Sequence, residues 1–155
     1  MYEEFMKQLS LDLGVALTVD DEGVSSFKSG DDMLVTLEFS SEFPIIYLYS
    51  PLQSLPTGEN MEQTLDLKLK SLEINAQVSI THGGAIAIAP GGQELIFCQS
   101  RPTENLTSES FSAFLLSFIE IAKEIKVLLT AAPASFTPTT PAPAPKKKNL
   151  FIIKV

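Results

Sequence analysis

Few side chains in this sequence could do covalent chemistry, and their surroundings decide what kind. His82 is the sole histidine and lies in Thr81-His82-Gly83-Gly84. A His-Gly-Gly step can open the oxyanion loop of an esterase, but that chemistry also needs a Gly-x-Ser-x-Gly elbow and a second histidine. Neither is present, so His82 reads as a turn residue. Cys98, the sole cysteine, would act as a nucleophile only beside a base that makes it a thiolate. Within Leu95-Ile96-Phe97-Cys98 it reads instead as a core or half-buried thiol. A His82–Cys98 pair built across a dimer interface is the one catalytic alternative. One histidine and one cysteine cannot fill a zinc site within a chain. Asp20-Asp21-Glu22 and Asp31-Asp32 lack the spacing of a calcium loop and read as solvated turns. The glycine pairs at 83–84 and 91–92 match no phosphate-binding fingerprint and are turn chemistry. The expectation is therefore no catalytic residue, no metal and no cofactor.

What remains is a carrier of surface. The 155 residues, 45% hydrophobic and 19% charged, suffice for one globular domain. Nineteen acidic and seven basic side chains precede residue 131, whereas four lysines and no acid follow it. So acidic a domain repels nucleic acid and anionic membranes and attracts basic partners. A single cysteine excludes an internal disulfide framework and fits a reducing compartment. Met1-Tyr2-Glu3-Glu4 lacks the basic and apolar regions of a signal peptide, and no apolar run is long enough to span a bilayer. A cytoplasmic protein without stable membrane insertion is expected.

Composition shifts near Ala131, dividing a 1–130 domain from a 131–155 tail rich in Pro, Ala and Thr. Five of the ten prolines lie in that tail, which should form an extended or disordered arm. It closes with Lys146–Lys148 and the apolar run Leu150–Ile153. One reading has this run add as a strand to the domain's vacant binding edge and compete with a partner.

Within the domain, Tyr2, Phe5, Met6, Leu9 and Leu13 recur at helical spacing, and Gly14 stops the helix. Val24–Phe27 reads as a short strand. Met33, Val35, Leu37 and Phe39 form one apolar face of a second, and Ile45–Tyr49 a third, closed by Pro51 and Pro56. Residues Glu59–Ala76 read as a helix with a main stripe of Met61, Leu65, Leu69, Leu72 and Ala76. Leu67 and Ile74 lie off that stripe, which hints at an oligomer. Ala85–Ala89 and Glu94–Cys98 form a hairpin around Pro90-Gly91-Gly92. Phe111, Phe114, Leu115, Phe118, Ala122, Ile125 and Leu129 line a last helix, capped by Thr107 with Glu109 in its first turn. The expected fold is α+β in the order α-β-β-β-α-β-β-α, a twisted antiparallel sheet packed by helices. Strands apolar on both faces leave one sheet face in need of a cover, the usual mark of an interface.

Several of these segments resemble class I type III secretion chaperones, the Tir chaperone (CesT-like) family. They are Leu11-Asp12-Leu13-Gly14 closing the first helix, Asp21-Glu22-Gly23-Val24 opening a strand, and Tyr49-Ser50-Pro51-Leu52 followed by Leu55-Pro56. Gly83-Gly84-Ala85-Ile86-Ala87-Ile88, the Arg101-Pro102 step and the long last helix continue the likeness over about residues 1–130. The resemblance implies a homodimer paired through Glu59–Ala76 and Ala85–Ala89, with Leu67, Ile74, Ala85, Ile86, Ala87 and Ile88 at its interface. It implies that each dimer binds the extended N-terminal region of a secreted effector and keeps it secretion-competent. It also brings in the secretion-apparatus ATPase as a partner at the export machinery. Val24, Phe27, Leu34, Tyr47 and Tyr49 are the expected effector contacts. A cytoplasmic adaptor or regulator with the same fold is the alternative.

Overall fold

The computed structural model describes residues 2–14, 16–29, 33–56 and 60–131. The tail's strand-addition reading and the Asp31-Asp32 turn lie outside the described residues. The elements are α1 (Tyr2–Leu13), β1 (Val24–Lys28), β2 (Leu34–Phe39), β3 (Ile45–Ser54), α2 (Met61–Asn75), α3 (Val78–Thr81), β4 (Ala85–Ile88), β5 (Glu94–Pro102) and α4 (Ser108–Thr130). The expected order holds, with the short α3 added.

The five strands form one antiparallel sheet in the order β1-β2-β3-β5-β4. Its helix-facing side carries Val35, Leu37, Ile46, Leu48, Leu95 and Phe97, all buried. Alternation makes that side: in β2 the buried residues are Val35, Leu37 and Phe39, and the intervening Leu34, Thr36 and Glu38 face the other way. Helix α4 lays Phe111, Leu115, Phe118, Ala122, Ile125 and Leu129 against the core, and Phe118 stacks on Phe97 with centroids 5.2 Å apart. Thr107 and Ser110 form a reciprocal capping box at its start. Gly14, at φ +64, ends α1 as expected.

Four features differ from the sequence reading. Strand β3 runs through Pro51 to Ser54: the Ser50 hydroxyl donates to the Leu34 carbonyl at 2.8 Å on the β2 side, and a bulge between Pro51 and Gln53 shifts the register with β5. Gly84 closes the turn after α3 through its amide on the Thr81 carbonyl, but a Cβ there would sit 2.5 Å from the Phe97 ring, so close packing is what demands a glycine. Strand β5 extends past Cys98 to Pro102, taking in the Arg101-Pro102 step.

The fourth concerns α2, whose faces are the reverse of the expected ones. Ile74 is buried and Leu67 packs against the core, whereas Met61, Leu65, Leu69 and Leu72 are half or more exposed. Ile74 belongs to the protomer's own interior and cannot form a contact with a second copy. Ile86 is corrected likewise, since its side chain points inward opposite Phe97 and is buried.

Candidate functional site

The sheet side away from the helices is the first candidate surface. Strand register aligns Val24, Glu38, Tyr47 and Ser100 in one row, and Ser26, Thr36, Tyr49, Cys98 and Ala85 in the next. Pro51, Ile96 and Ala87 continue a third, beside Leu34. Tyr47 and Tyr49 stack at 6.3 Å, and Ser26 and Thr36 share a 2.9 Å hydroxyl hydrogen bond. Burial, a hydrogen bond to Glu38 and its negative charge push the Tyr49 phenol up to about 12. Burial also pushes the Cys98 thiol up, and its Sγ donates to the Ala85 carbonyl at 3.2 Å. A raised thiol pKa is the opposite of what a nucleophile needs.

Of the five expected effector contacts, Val24, Leu34, Tyr47 and Tyr49 share this face. Phe27 does not, and that expectation is corrected: it lies three residues from Val24, so strand alternation turns it into the core. Ile96 and Pro51 join the face and were not foreseen. Their signal was an apolar residue at every position from Leu95 to Phe97, which implies burial on one side and apolar surface on the other.

His82 and Cys98 do not meet within the chain. The His82 carbonyl accepts from the Gln99 side chain, and Gln99 points to the sheet side opposite Cys98. His82 terminates α3 with φ 48 and opens onto a shallow depression beside Arg101 and Phe114. No group of metal-ligating side chains occurs among the described residues. One carboxylate oxygen of Asp20 accepts from the Glu22 and Val24 amides at 3.0 and 2.8 Å, so this acid builds a turn.

The two edges of the sheet differ in kind. On β4, the Asn75 side chain accepts from the Ile86 amide at 2.7 Å and donates to the Ile86 carbonyl at 2.9 Å. One side-chain amide thus takes the place of a neighbouring strand at Ile86, while Ile88, two residues on, also turns its backbone outward. The expected backbone approach along Ala85–Ala89 meets Asn75 at Ile86; Ala85 and Ala87 lie on the open face, and Ile88 is 47% exposed. On β1, Gly23 pairs through its carbonyl with Phe39 and Ser29 through its amide with Met33. Antiparallel alternation then turns the Val24, Ser26 and Lys28 backbone outward. Val24 is closed by the Asp20 turn, while the Ser26 amide and carbonyl point past the end of the sheet.

Beside that edge, a groove of about 900 Å³ opens between α1 and the segment entering β1. Met6, Leu11, Leu17 and Val19 line it, with Lys7, Asp20 and Asp21 at its rim. Leu11 is 70% exposed. The sequence signal for this groove was Leu11 outside the α1 stripe, followed by the unpatterned apolar Val15-Ala16-Leu17.

The sequence matches the Tir chaperone protein (CesT) family over residues 4–126. No curated protein sequence matches the chain. Among solved structures, the chain is similar to the ExsC–ExsE complex, with TM-score 0.66, 18% identity, and coverage of 83% of this chain and 92% of that one. It is similar to the HopA1–SchA chaperone–effector complex, with TM-score 0.62, 17% identity, and coverage of 81% and 93%. It is also similar to the heterodimeric ExoU–SpcU complex from the type III secretion system of Pseudomonas aeruginosa, with TM-score 0.57, 14% identity, and coverage of 81% and 97%. At these identities the structural likeness speaks for the fold.

Proposed function

Because the chain belongs to the Tir chaperone protein (CesT) family, we propose that it is a type III secretion chaperone that binds a secreted effector before export. The client is an extended, non-globular N-terminal segment, held soluble in the bacterial cytoplasm and passed on at the secretion-apparatus ATPase. The observation that carries this reading is the outward Ser26 backbone on β1 beside an apolar groove, whereas on β4 the Ile86 backbone is already taken by Asn75. An extended chain adds to a sheet where backbone groups are unblocked, and its alternate side chains then settle into neighbouring patches. Ser26 offers such a position on β1, with the α1 groove on one side and Val24, Leu34, Tyr47 and Tyr49 on the open face.

The chaperone works as a homodimer in the same reading. Met61, Leu65, Leu69 and Leu72 form an exposed apolar stripe on α2, flanked by Val78 and Ile88. A stripe of this size on a small soluble domain calls for a cover, and a two-fold axis lets the same stripe cover itself. Asn75 leaves β4 to take part through side chains rather than through strand pairing.

The test is capture from the native bacterium with tagged protein, followed by mass spectrometry. One or a few proteins held through their N-terminal segments are expected. Ser26→Pro, which removes an outward amide that an edge strand can spare, should lower that capture at least tenfold while the thermal transition stays in place. Recovery of cytoplasmic regulators alone, unaffected by Ser26→Pro, would favour the adaptor reading.

A further inference from the structure

The chain beyond the described residues carries a segment matched to the α1 groove. Residues 132–145 are a Pro/Ala/Thr-rich arm, followed by Lys146-Lys147-Lys148-Asn149 and then Leu150-Phe151-Ile152-Ile153. The groove offers the complement in the same order of chemistry. Asp20 and Asp21 on its rim adjoin Glu22, and its interior is apolar at Met6, Leu11, Leu17 and Val19. Lys7 is the one basic residue on that rim. The described domain supplies most of the chain's acid, and the tail supplies only base. The match is thus one of sign as well as of hydrophobicity.

Reach does not forbid the contact. The arm leaves from Ala131, whose carbonyl, with that of Leu129, is held by the Lys70 ammonium. At ~3.1 Å per residue a polyproline-like arm of this length spans roughly 43 Å. A domain of this size has a diameter of roughly 36 Å. The Ser112 hydroxyl donates to Asp12, so the C-terminal end of α1, beside the groove, lies ~29 Å from Ala131 along α4 at ~1.5 Å per residue, within reach of the arm.

We propose that residues 146–155 of this chain occupy the α1–β1 groove in the free protein. Leu150–Ile153 pairs with the outward Ser26 backbone, alternate side chains enter the groove beside Leu11, and Lys146–Lys148 face Asp20–Glu22. The segment is a resident stand-in that keeps apolar surface covered until a client displaces it. Docking itself follows from the groove and the tail; only its competition with a client rests on the chaperone reading.

The chain contains no tryptophan, so Phe151→Trp in the 155-residue chain reports the position of residues 146–155. A blue-shifted indole, about threefold or more less accessible to acrylamide than in a free peptide of residues 146–155 carrying the same substitution, is expected at every protein concentration. Adding Leu11→Glu and Asp21→Lys, both at exposed positions, should return the indole to solvent while circular dichroism stays unchanged. An indole that is exposed from the start overturns the proposal. So does one that stays shielded after both groove substitutions, or whose shielding appears only as concentration rises and therefore comes from contact between particles. Failure of the chaperone reading looks different: no effector is captured, and the indole remains shielded in the groove.

Discussion

In the proposed dimer, truncating the outer stripe of α2 should separate the protomers without unfolding them. Leu65 and Leu72 are 55% and 64% exposed in the protomer, so burial of each is only half complete before a second copy arrives. Full burial of a leucine contributes about 1.5–3 kcal/mol, which leaves about 1 kcal/mol per side chain for the interface. Two-fold symmetry presents each position twice, so Leu65→Ala with Leu72→Ala should weaken the dimer by about 4 kcal/mol. That corresponds to a rise in Kd on the order of a thousandfold. Alanine is at least as good a helix former as leucine, so α2 itself is not weakened. Sedimentation velocity across a concentration series reads the dissociation constant, and circular dichroism checks the fold. Ile74→Ala is the contrasting control: it opens a cavity in the protomer core and should cost about 2–4 kcal/mol of fold stability. A Kd that moves less than threefold in the double variant, or a parent protein that is monomeric at tens of micromolar, refutes the argument.

Two further outcomes follow from the site's geometry. Asn75→Ala leaves the Ile86 amide and carbonyl without their partner, which should lower stability in urea by about 2–3 kcal/mol and make β4 prone to strand pairing with other copies; unchanged stability and no new association would refute the edge-closing role. The Tyr49 phenol, held at about 12 instead of 10.0, keeps its proton in the folded protein after the unfolded chain has lost it. Its contribution is therefore complete below pH 10 and lost as pH rises through 12. Absorbance at 295 nm should show a late-ionising tyrosine that Tyr49→Phe removes, and a titration unchanged by that substitution would refute the assignment.

Where the sequence was readable and where it was not has a simple physical basis. Helix α4 announces its inner face because one side is apolar and the other is not, and a threonine cap marks its start. Strand β2 does so by strict alternation. Helix α2 misled because its larger apolar stripe faces outward, while Leu67, Ser71 and Ile74 face the core. Periodicity tells that a stripe exists, not which surface it meets, so a helix with two partners reads ambiguously. Phe27 failed for a different reason. A five-residue strand with two serines at its centre does not declare which parity is inside, and pairing Val24 with Phe27 on one face conflicts with the period of two. The Asn75 closure was unreadable because it joins the end of a helix to a strand edge eleven residues away.

The strand order also sets a length. Strands β1 and β4 stand at opposite edges of the sheet, four inter-strand steps apart, or ~19 Å at ~4.8 Å per step. In the proposed dimer, with protomers joined on the β4 side, the two β1 edges lie at its far ends, at least ~40 Å from each other. A polypeptide crossing that span needs ~12 extended residues at ~3.3 Å each, and ~5 more at either end to pair with an edge. The proposed dimer would therefore act as a ruler for its proposed client. A segment shorter than ~22 residues can engage one end only, whereas a longer one gains the avidity of two tethered contacts.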